Sequence, residues 1–127
     1  MKPSRYVSHE LQSYIHDAVS CTDGELMIST IKNGHDITSG RLNTKYKVQI
    51  QYGYIETEIK FGGGKGLWPA FWMMGESTLQ WPYTGEVDIF EWIGWNNAAI
   101  YGTLHGPGYS GGNCFGSGPK NMNKQLE

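Results

Sequence analysis

Three carboxyl groups lie within one short and otherwise apolar segment, Gly-Glu-Val-Asp-Ile-Phe-Glu-Trp, as Glu86, Asp88 and Glu91. Carboxylates are costly to bury unless they are paired or solvated, so stability of the fold alone does not favour this cluster. Paired carboxyl groups can cleave a glycosidic bond, with one group attacking and the other donating a proton. Two further interpretations stay open: an acidic strand end, and a Ca²⁺ site built from clustered carboxylates.

The geometry of the strand decides whether these groups can act together. In a regular strand Glu86 and Asp88 share one face, and Glu91 points to the opposite face. One β-bulge near residues 89–90 would return Glu91 to the face of the other two acids, and we predict such a bulge. A negative charge on Asp88 would help keep one glutamate protonated, whereas a protonated Asp88 would donate a hydrogen bond to the attacking group.

The elements that position this segment are predicted to be short strands. Period-2 alternation of apolar and polar residues indicates half-buried antiparallel strands. No segment shows a sustained helical period, and the chain contains 18 glycines. Short strands between glycine-rich turns predict an all-β fold, an antiparallel β-sandwich or jelly roll. The predicted strands cover residues 25–31, 45–51, 54–61, 67–74, 86–93 and 98–105.

The composition excludes several kinds of partner. The chain has 127 residues, enough for one domain, which we assign to residues 1–127. Charged residues make up 17% and the formal net charge is −2, without the basic patch that nucleic-acid binding needs. No apolar run approaches the ~20 residues of a membrane span. Cys21 and Cys114 have no metal-ligand spacing, and we expect free thiols rather than a disulfide. We therefore expect no cofactor.

Several blocks of sequence, in order along the chain, resemble glycoside hydrolase family 16, and within it the bulge-containing β-1,3-glucanases (laminarinases). The resemblance implies a concanavalin A-like jelly roll that hydrolyses internal β-1,3 or mixed β-1,3/1,4 bonds of β-glucan with retention of configuration. It also implies that Glu86 is the nucleophile, Asp88 its assisting acid and Glu91 the general acid/base. The matching blocks are residues 10–14, 23–26, 39–45, 66–75, 85–91 and 101–112.

Aromatic side chains are frequent around the acids, and the chain contains five tryptophans. Indole faces can stack on the C–H faces of sugars, although packing in the core is the alternative for each of them. The resemblance favours a cleft position for two tryptophans, for the histidine of Gly-Thr-Leu-His-Gly and for two polar residues of an upstream strand. The predicted substrate-binding residues are Trp68, Trp72, His105, Arg41, Asn43 and Trp92.

The family's catalytic domain is longer than this chain, and its first strand and its C-terminal strands have no counterpart here. An incomplete sandwich exposes strand edges and apolar faces, so we expect marginal stability or completion by strand exchange in a homodimer. Binding of a structural Ca²⁺ by a full-length domain stays an open alternative. Met1-Lys2-Pro3 leads into a polar stretch without the apolar region of a signal peptide, yet the resemblance implies a secreted parent protein.

Two other functions compete with hydrolysis. A non-catalytic β-glucan-binding protein on the same scaffold would bind glucan without releasing reducing ends, and proteins of that sort typically lack the acids. An inert fragment would neither bind nor hydrolyse it.

Overall fold

The computed structural model describes residues 10–95 and 99–121, and it is built from short β-strands. Within these ranges there is no α-helix, only strands and two single turns of 3-10 helix, His16–Ala18 and Gly111–Asn113. No helix in the described ranges is long and apolar enough to cross a membrane. The predicted all-β class is therefore confirmed. The chain forms two compact units, residues 1–55 and residues 56–127.

The first unit contains two small sheets. Its strands are β1 (Ser13–Tyr14), β2 (Val19–Thr22), β3 (Glu25–Ile28), β4 (Ile31–Asn33) and β5 (Asp36–Ser39). Strands β2 and β3 form an antiparallel hairpin, and a second sheet has the order β1-β5-β4, with β1 parallel to β5. Asp23 and Gly24 in the hairpin turn both have positive φ, 53° and 82°, as a tight Asp-Gly turn requires. The predicted strand at residues 25–31 is thus divided between β3 and β4.

The second unit carries the acidic segment at the centre of an antiparallel sheet. Its strands are β6 (Ala70–Met74), β7 (Glu86–Trp92), β8 (Ala99–His105), β9 (Phe115–Gly116) and β10 (Lys120–Asn121). The order is β10-β8-β7-β6, and β9 pairs with another part of β8. The predicted strands at residues 67–74, 86–93 and 98–105 correspond to β6, β7 and β8. Since β7 has a partner on each side, its backbone is held from both edges.

The predicted strands at residues 45–51 and 54–61 are wrong for this structure, because neither segment joins a ladder in the described part of the chain. A turn replaces the start of the first one: the N–H groups of Lys47 and Val48 both donate to the Thr44 carbonyl oxygen. Tyr46 has φ 63° and is 81% exposed. Alternation predicts which side chains would share a face, but it does not supply the neighbouring strand that a ladder needs.

The core of the second unit lies on one side of β7. Trp92 is fully buried there, and the Phe61 ring lies 5.2 Å from the Trp92 ring and 5.1 Å from the Phe90 ring. The backbone before β6 packs against the end of β7, since the Trp92 N–H donates to the Pro69 carbonyl oxygen at 3.1 Å. These contacts fix the position of the β7 end that carries Glu91.

Part of the same face remains apolar surface. Val87, Leu104 and Phe115 are successive cross-strand neighbours on β7, β8 and β9. They are 40%, 39% and 69% exposed. In a β-sandwich such a face packs against a second sheet. Completion by strand exchange with another copy stays a prediction.

We predict that Gly75→Ala destabilises the protein. The Gly75 N–H donates to the Gly85 carbonyl oxygen at 3.0 Å, and a Cβ at this position would overlap the Thr84 carbonyl oxygen. Because backbone rather than a flexible side chain must move, we expect a loss of about 1–3 kcal/mol in the free energy of unfolding, measured by urea denaturation. Gly62→Ala is the matched control, since a Cβ there meets nothing within 4 Å. Equal stabilities of the two variants would contradict the prediction.

Candidate active site

A one-residue bulge brings the three acids to one face of the sheet. Glu86 and Asp88 pair with β8 residues that are two positions apart, as in a regular ladder. Asp88 and Glu91 are three positions apart, yet their β8 partners are also two apart, so β7 carries one extra residue between them. The β8 partners of the three acids are, in order, His105, Thr103 and Tyr101. The predicted bulge is confirmed.

The pairing of β6 places the extra residue at Ile89. Phe71 pairs with Phe90 while the adjacent Trp72 pairs with Asp88, which leaves Ile89 without an opposing residue. The two neighbours of β7 therefore accommodate the same bulge. The β6 partners of Glu86, Asp88 and Glu91 are Met74, Trp72 and Ala70, again every second residue. Both adjacent strands thus place the three carboxyl groups on the same face.

Glu86 is held by a tryptophan from the β6–β7 connection. The Trp81 indole N–H donates to Glu86 Oε2 at 2.6 Å, and Trp81 is 46% exposed. Its ring also lies 5.9 Å from the His105 ring, at an interplanar angle of 50°. A donor aimed at a carboxylate stabilises its negative charge and fixes its orientation. Glu86 therefore presents an oriented carboxylate beside a partly exposed aromatic ring.

Asp88 is the buried acid of the three, with its side chain 5% exposed. Its Oδ2 atom lies 2.5 Å from the Thr103 hydroxyl oxygen and 3.1 Å from His105 Nε2. The other ring nitrogen, His105 Nδ1, is buried and has no hydrogen-bond partner within the described ranges. The tautomer with hydrogen on Nε2 fits these surroundings, because it donates to Asp88 and leaves no buried N–H without an acceptor.

Glu91 is half-buried and makes two hydrogen bonds. Its Oε1 accepts from the Trp68 indole N–H at 3.0 Å, and its Oε2 lies 3.2 Å from the Thr103 hydroxyl oxygen. Burial raises the pKa of Glu91, and the negative charge of Asp88 raises it further. The hydrogen bonds from Trp68 and Thr103 and the nearby His105 oppose this rise in pKa without cancelling it. Glu91 is thus the carboxyl group suited to keep a proton and donate it.

Three of the predicted substrate contacts lie near the acids. Trp68 is 58% exposed and donates to Glu91. Trp72 pairs with Asp88 and so belongs to the acidic face. His105 is opposite Glu86, in contact with Asp88 and Trp81. The alternation within β6 and β8 places Trp72 and His105 beside the carboxyl groups, and Trp68 reaches Glu91 from the segment before β6.

Trp92 requires a correction. It follows Glu91 directly after the bulge, so it points to the opposite face, where it is fully buried against Phe61. An indole without exposed surface cannot stack on a sugar, and Trp92 is therefore a core residue and not a substrate contact.

Arg41 and Asn43 belong to the other compact unit. The Asn43 side-chain oxygen accepts a hydrogen bond from the Lys45 backbone N–H at 3.0 Å. Arg41 lines a cavity of about 230 Å³ within that unit, together with Tyr14, Ile15, His16, Val19 and Leu42. Their proposed contacts with substrate stay predictions.

Sequence reasoning missed two residues that contact the acids, Trp81 and Thr103. The sequence pattern could have predicted Thr103, because this residue lies two positions before His105 on a strand and must share its face. Trp81 lies in a turn, outside any periodic pattern, so only the three-dimensional structure shows that it reaches Glu86.

Within residues 10–95 and 99–121, no group of three or more His, Cys, Asp or Glu side chains is arranged to hold a metal ion. Cys21 and Cys114 are both free thiols, as expected.

Comparisons with known proteins agree on one family. The sequence profile described as glycosyl hydrolases family 16 matches residues 9–126. A glucan endo-1,3-beta-glucosidase of Cryptopygus antarcticus is 34% identical over 127 residues, covering 90% of this chain and 43% of that protein. A beta-1,3-glucan-binding protein of Penaeus monodon is 36% identical over 72 residues, covering 55% of this chain and 20% of that protein.

A solved structure shows the same fold. The crystal structure of laminarinase from Flavobacterium sp. UMI-01 matches with a TM-score of 0.87 and 36% identity, covering 93% of this chain and 52% of that one. The predicted jelly-roll class is thereby confirmed. The chain spans about half the length of this structure and less than half of the curated relatives named above.

We predict that Glu91→Gln increases stability relative to the unsubstituted protein as pH rises above the ordinary pKa of a glutamate. Because the folded state raises the pKa of Glu91, it binds more protons than the unfolded state between the unfolded and folded pKa values. The free energy of unfolding therefore falls across that interval as Glu91 ionises, and glutamine removes this loss. Thermal unfolding from pH 4 to 8 measures the effect.

Glu25→Gln provides the control for this titration. Glu25 is an exposed carboxylate on β3, in the other unit, so its neutralisation should leave the pH dependence of unfolding nearly unchanged. A constant difference between Glu91→Gln and the unsubstituted protein at every pH would contradict the raised pKa.

Proposed function

Because the chain belongs to glycosyl hydrolases family 16, we propose that it carries the catalytic acids of an endo-acting β-1,3-glucan hydrolase that also accepts mixed β-1,3/1,4-glucan. The bulge at Ile89 is the observation that carries this proposal, since it puts Glu86, Asp88 and Glu91 on one face. The glucan endo-1,3-beta-glucosidase of Cryptopygus antarcticus and the laminarinase of Flavobacterium sp. UMI-01 support the substrate class.

Hydrolysis proceeds by double displacement in this proposal. Glu86 attacks the anomeric carbon while Glu91 transfers its proton to the leaving glycosidic oxygen. A covalent glycosyl-enzyme forms, and Glu91, now a carboxylate, takes a proton from the water molecule that attacks the same carbon. That second displacement frees Glu86 and leaves the configuration at the anomeric carbon unchanged.

The different surroundings of the two glutamates support this assignment of roles. Glu86 accepts from Trp81 at 2.6 Å, which orients the carboxylate that acts as nucleophile. Glu91 has a raised pKa, because it is half-buried and lies close to Asp88. A carboxyl group with a raised pKa beside an oriented carboxylate is what the acid and the nucleophile need at the same pH.

Asp88 contributes through its neighbours in this mechanism. Being buried and hydrogen-bonded to Thr103 and His105, it keeps a fixed position between the two glutamates. Its negative charge raises the pKa of Glu91 and so helps to retain the proton that the first displacement consumes.

The aromatic side chains near the acids offer surfaces for sugar rings. Trp68 and Trp81 are 58% and 46% exposed, and each donates its indole N–H to one of the glutamates. With their edges fixed by these hydrogen bonds, their faces can stack on the sugars at either side of the cleaved bond. We assign Trp72 and His105 to the same cleft, and we keep Arg41 and Asn43 as proposed contacts. A polymeric glucan does not cross membranes, so the parent protein acts outside the cell.

A second candidate function is glucan binding without catalysis, and the glucan-binding protein of Penaeus monodon favours it. The retained acids argue against it, since binding alone gives no reason for a glutamate with a raised pKa beside a buried aspartate. Binding of laminarin without release of reducing ends would establish this alternative.

We predict that Glu86→Gln and Glu91→Gln each lower the turnover of laminarin by at least roughly 10²–10⁴-fold, because each removes a group that acts in the transition state. Reducing-end release measures turnover, and product size shows endo action. Proton NMR of the first products should show the β configuration. Glu25→Gln is the control and should keep full activity. Unchanged turnover in either active-site variant would refute the assignment.

A further inference from the structure

The Thr103 hydroxyl has more hydrogen-bond partners than it has hydrogens. Its oxygen lies 2.5 Å from Asp88 Oδ2, 3.2 Å from Glu91 Oε2 and 3.4 Å from His105 Nε2. A hydroxyl has one hydrogen to donate and two lone pairs that accept. If both acids were ionised, the single hydrogen could lie directly along only one of the two contacts with the carboxyl oxygens.

The shortest contact identifies the acceptor of that hydrogen. Asp88 is the more buried acid, and its Oδ2 is closer to the hydroxyl oxygen than Glu91 Oε2 is. A buried carboxylate is costly unless donors surround it, and His105 Nε2 at 3.1 Å supplies one of them. The Thr103 hydrogen supplies the second. The hydroxyl oxygen is then left with lone pairs facing Glu91.

The hydrogen between Thr103 and Glu91 must then belong to Glu91. A protonated carboxyl group donates one hydrogen bond, and Thr103 Oγ1 at 3.2 Å is an acceptor in reach of Oε2. The other oxygen, Oε1, accepts from the Trp68 indole, which is the role suited to the carbonyl oxygen of a protonated carboxyl group. The hydrogen-bond pattern is complete only when Glu91 carries its proton on the side of Thr103.

We propose that Thr103 is a positioning residue, whose hydroxyl accepts a hydrogen bond from protonated Glu91 and rotates to donate to Glu91 once that proton has left. This inference rests on the proposed function, in which Glu91 donates its proton to the glycosidic oxygen and later recovers one from water. When Glu91 becomes a carboxylate, the Thr103 hydrogen turns from Asp88 to Glu91, and Asp88 keeps the hydrogen bond from His105.

Rotation of the Thr103 hydroxyl explains how one site can stabilise both the protonated and the ionised form of Glu91. A hydrogen bond that forms only after the proton has left stabilises the later part of the first displacement rather than the bound substrate. Thr103 is opposite Asp88 on β8, and its hydroxyl acts on the reaction through Glu91 rather than by a proposed contact with the glucan. Its loss should therefore lower kcat and leave KM nearly constant.

Other groups facing Glu91 also influence its titration. Asp88 and Glu86 lie on its own strand, and β8 presents His105 and Tyr101 to the same face. The residues that β6 pairs with the three acids carry no titratable group: they are Ala70, Trp72 and Met74. Thr103→Ser keeps all of these groups and the hydroxyl, so a change in the titration of Glu91 that is confined to Thr103→Val reports on the hydroxyl.

The test compares Thr103→Val, which keeps the shape and removes the hydroxyl, with Thr103→Ser, which keeps the hydroxyl. Carbon-13 NMR of side-chain carboxyl groups follows Glu91 directly, with Glu91→Gln identifying its signal. We expect the midpoint of Glu91 to move to higher pH in Thr103→Val, because the charge-assisted hydrogen bond lost by the carboxylate is stronger than the neutral one lost by the protonated form, and to stay unchanged in Thr103→Ser. Thr103→Ala replaces the valine variant if that one does not fold.

Hydrolysis of laminarin across pH provides the second readout. In Thr103→Val, the fall of kcat at high pH should also move to higher pH. The maximal kcat should be roughly tenfold lower, with KM unchanged. A lower unfolding midpoint with an unshifted titration of Glu91 would overturn the proposal and leave Thr103 a structural partner of Asp88. If the unsubstituted chain shows no hydrolysis but the titration shifts as expected, the proposed function fails and the role of the hydroxyl stands.

Discussion

The burial of Asp88 is the constraint on which the rest of the site depends. A carboxylate that is 5% exposed is tolerated only where donors surround it, and here they come from the neighbouring strand, as Thr103 and His105. Those two residues lie opposite Asp88 and Glu86 because β8 pairs with β7 in one particular register. A slip of one residue in that register would replace both donors with residues of the apolar face. The hydrogen bonds that stabilise Asp88 therefore require this register of β7 and β8.

The two glutamates differ because of what lies beside each of them. Trp81 reaches Glu86 from a turn, and Trp68 reaches Glu91 from the segment before β6. Similar indole donors thus serve both acids, so the donors alone do not separate their proton affinities. Partial burial and the proximity of Asp88 act on Glu91 and raise its pKa. Burial first, and then one nearby negative charge, thus suit Glu91 to keep the proton that it donates.

The sequence predicted the acidic strand, its bulge and the all-β class. Alternation of polar and apolar residues indicates the strands, and the three-residue step from Asp88 to Glu91 interrupts that alternation where the bulge lies. The sequence also predicted strands at residues 45–51 and 54–61 that have no ladder in the described structure, since pairing depends on a neighbour that alternation does not reveal. Trp92 was wrongly included among the substrate contacts. It follows Glu91 directly, and because adjacent residues in a strand point to opposite faces, the alternation places it in the core.

The extra residue at Ile89 has a genetic consequence. Removing this single codon would restore an unbroken pleat in which the three acids stand at alternate positions and still share one face. An unbroken strand that kept Ile89 would instead turn Glu91 towards the apolar side and Trp92 towards the cleft. The spacing of the acids along the chain therefore does not by itself tell whether they share a face, because a strand with one residue fewer and no bulge would present them in the same way.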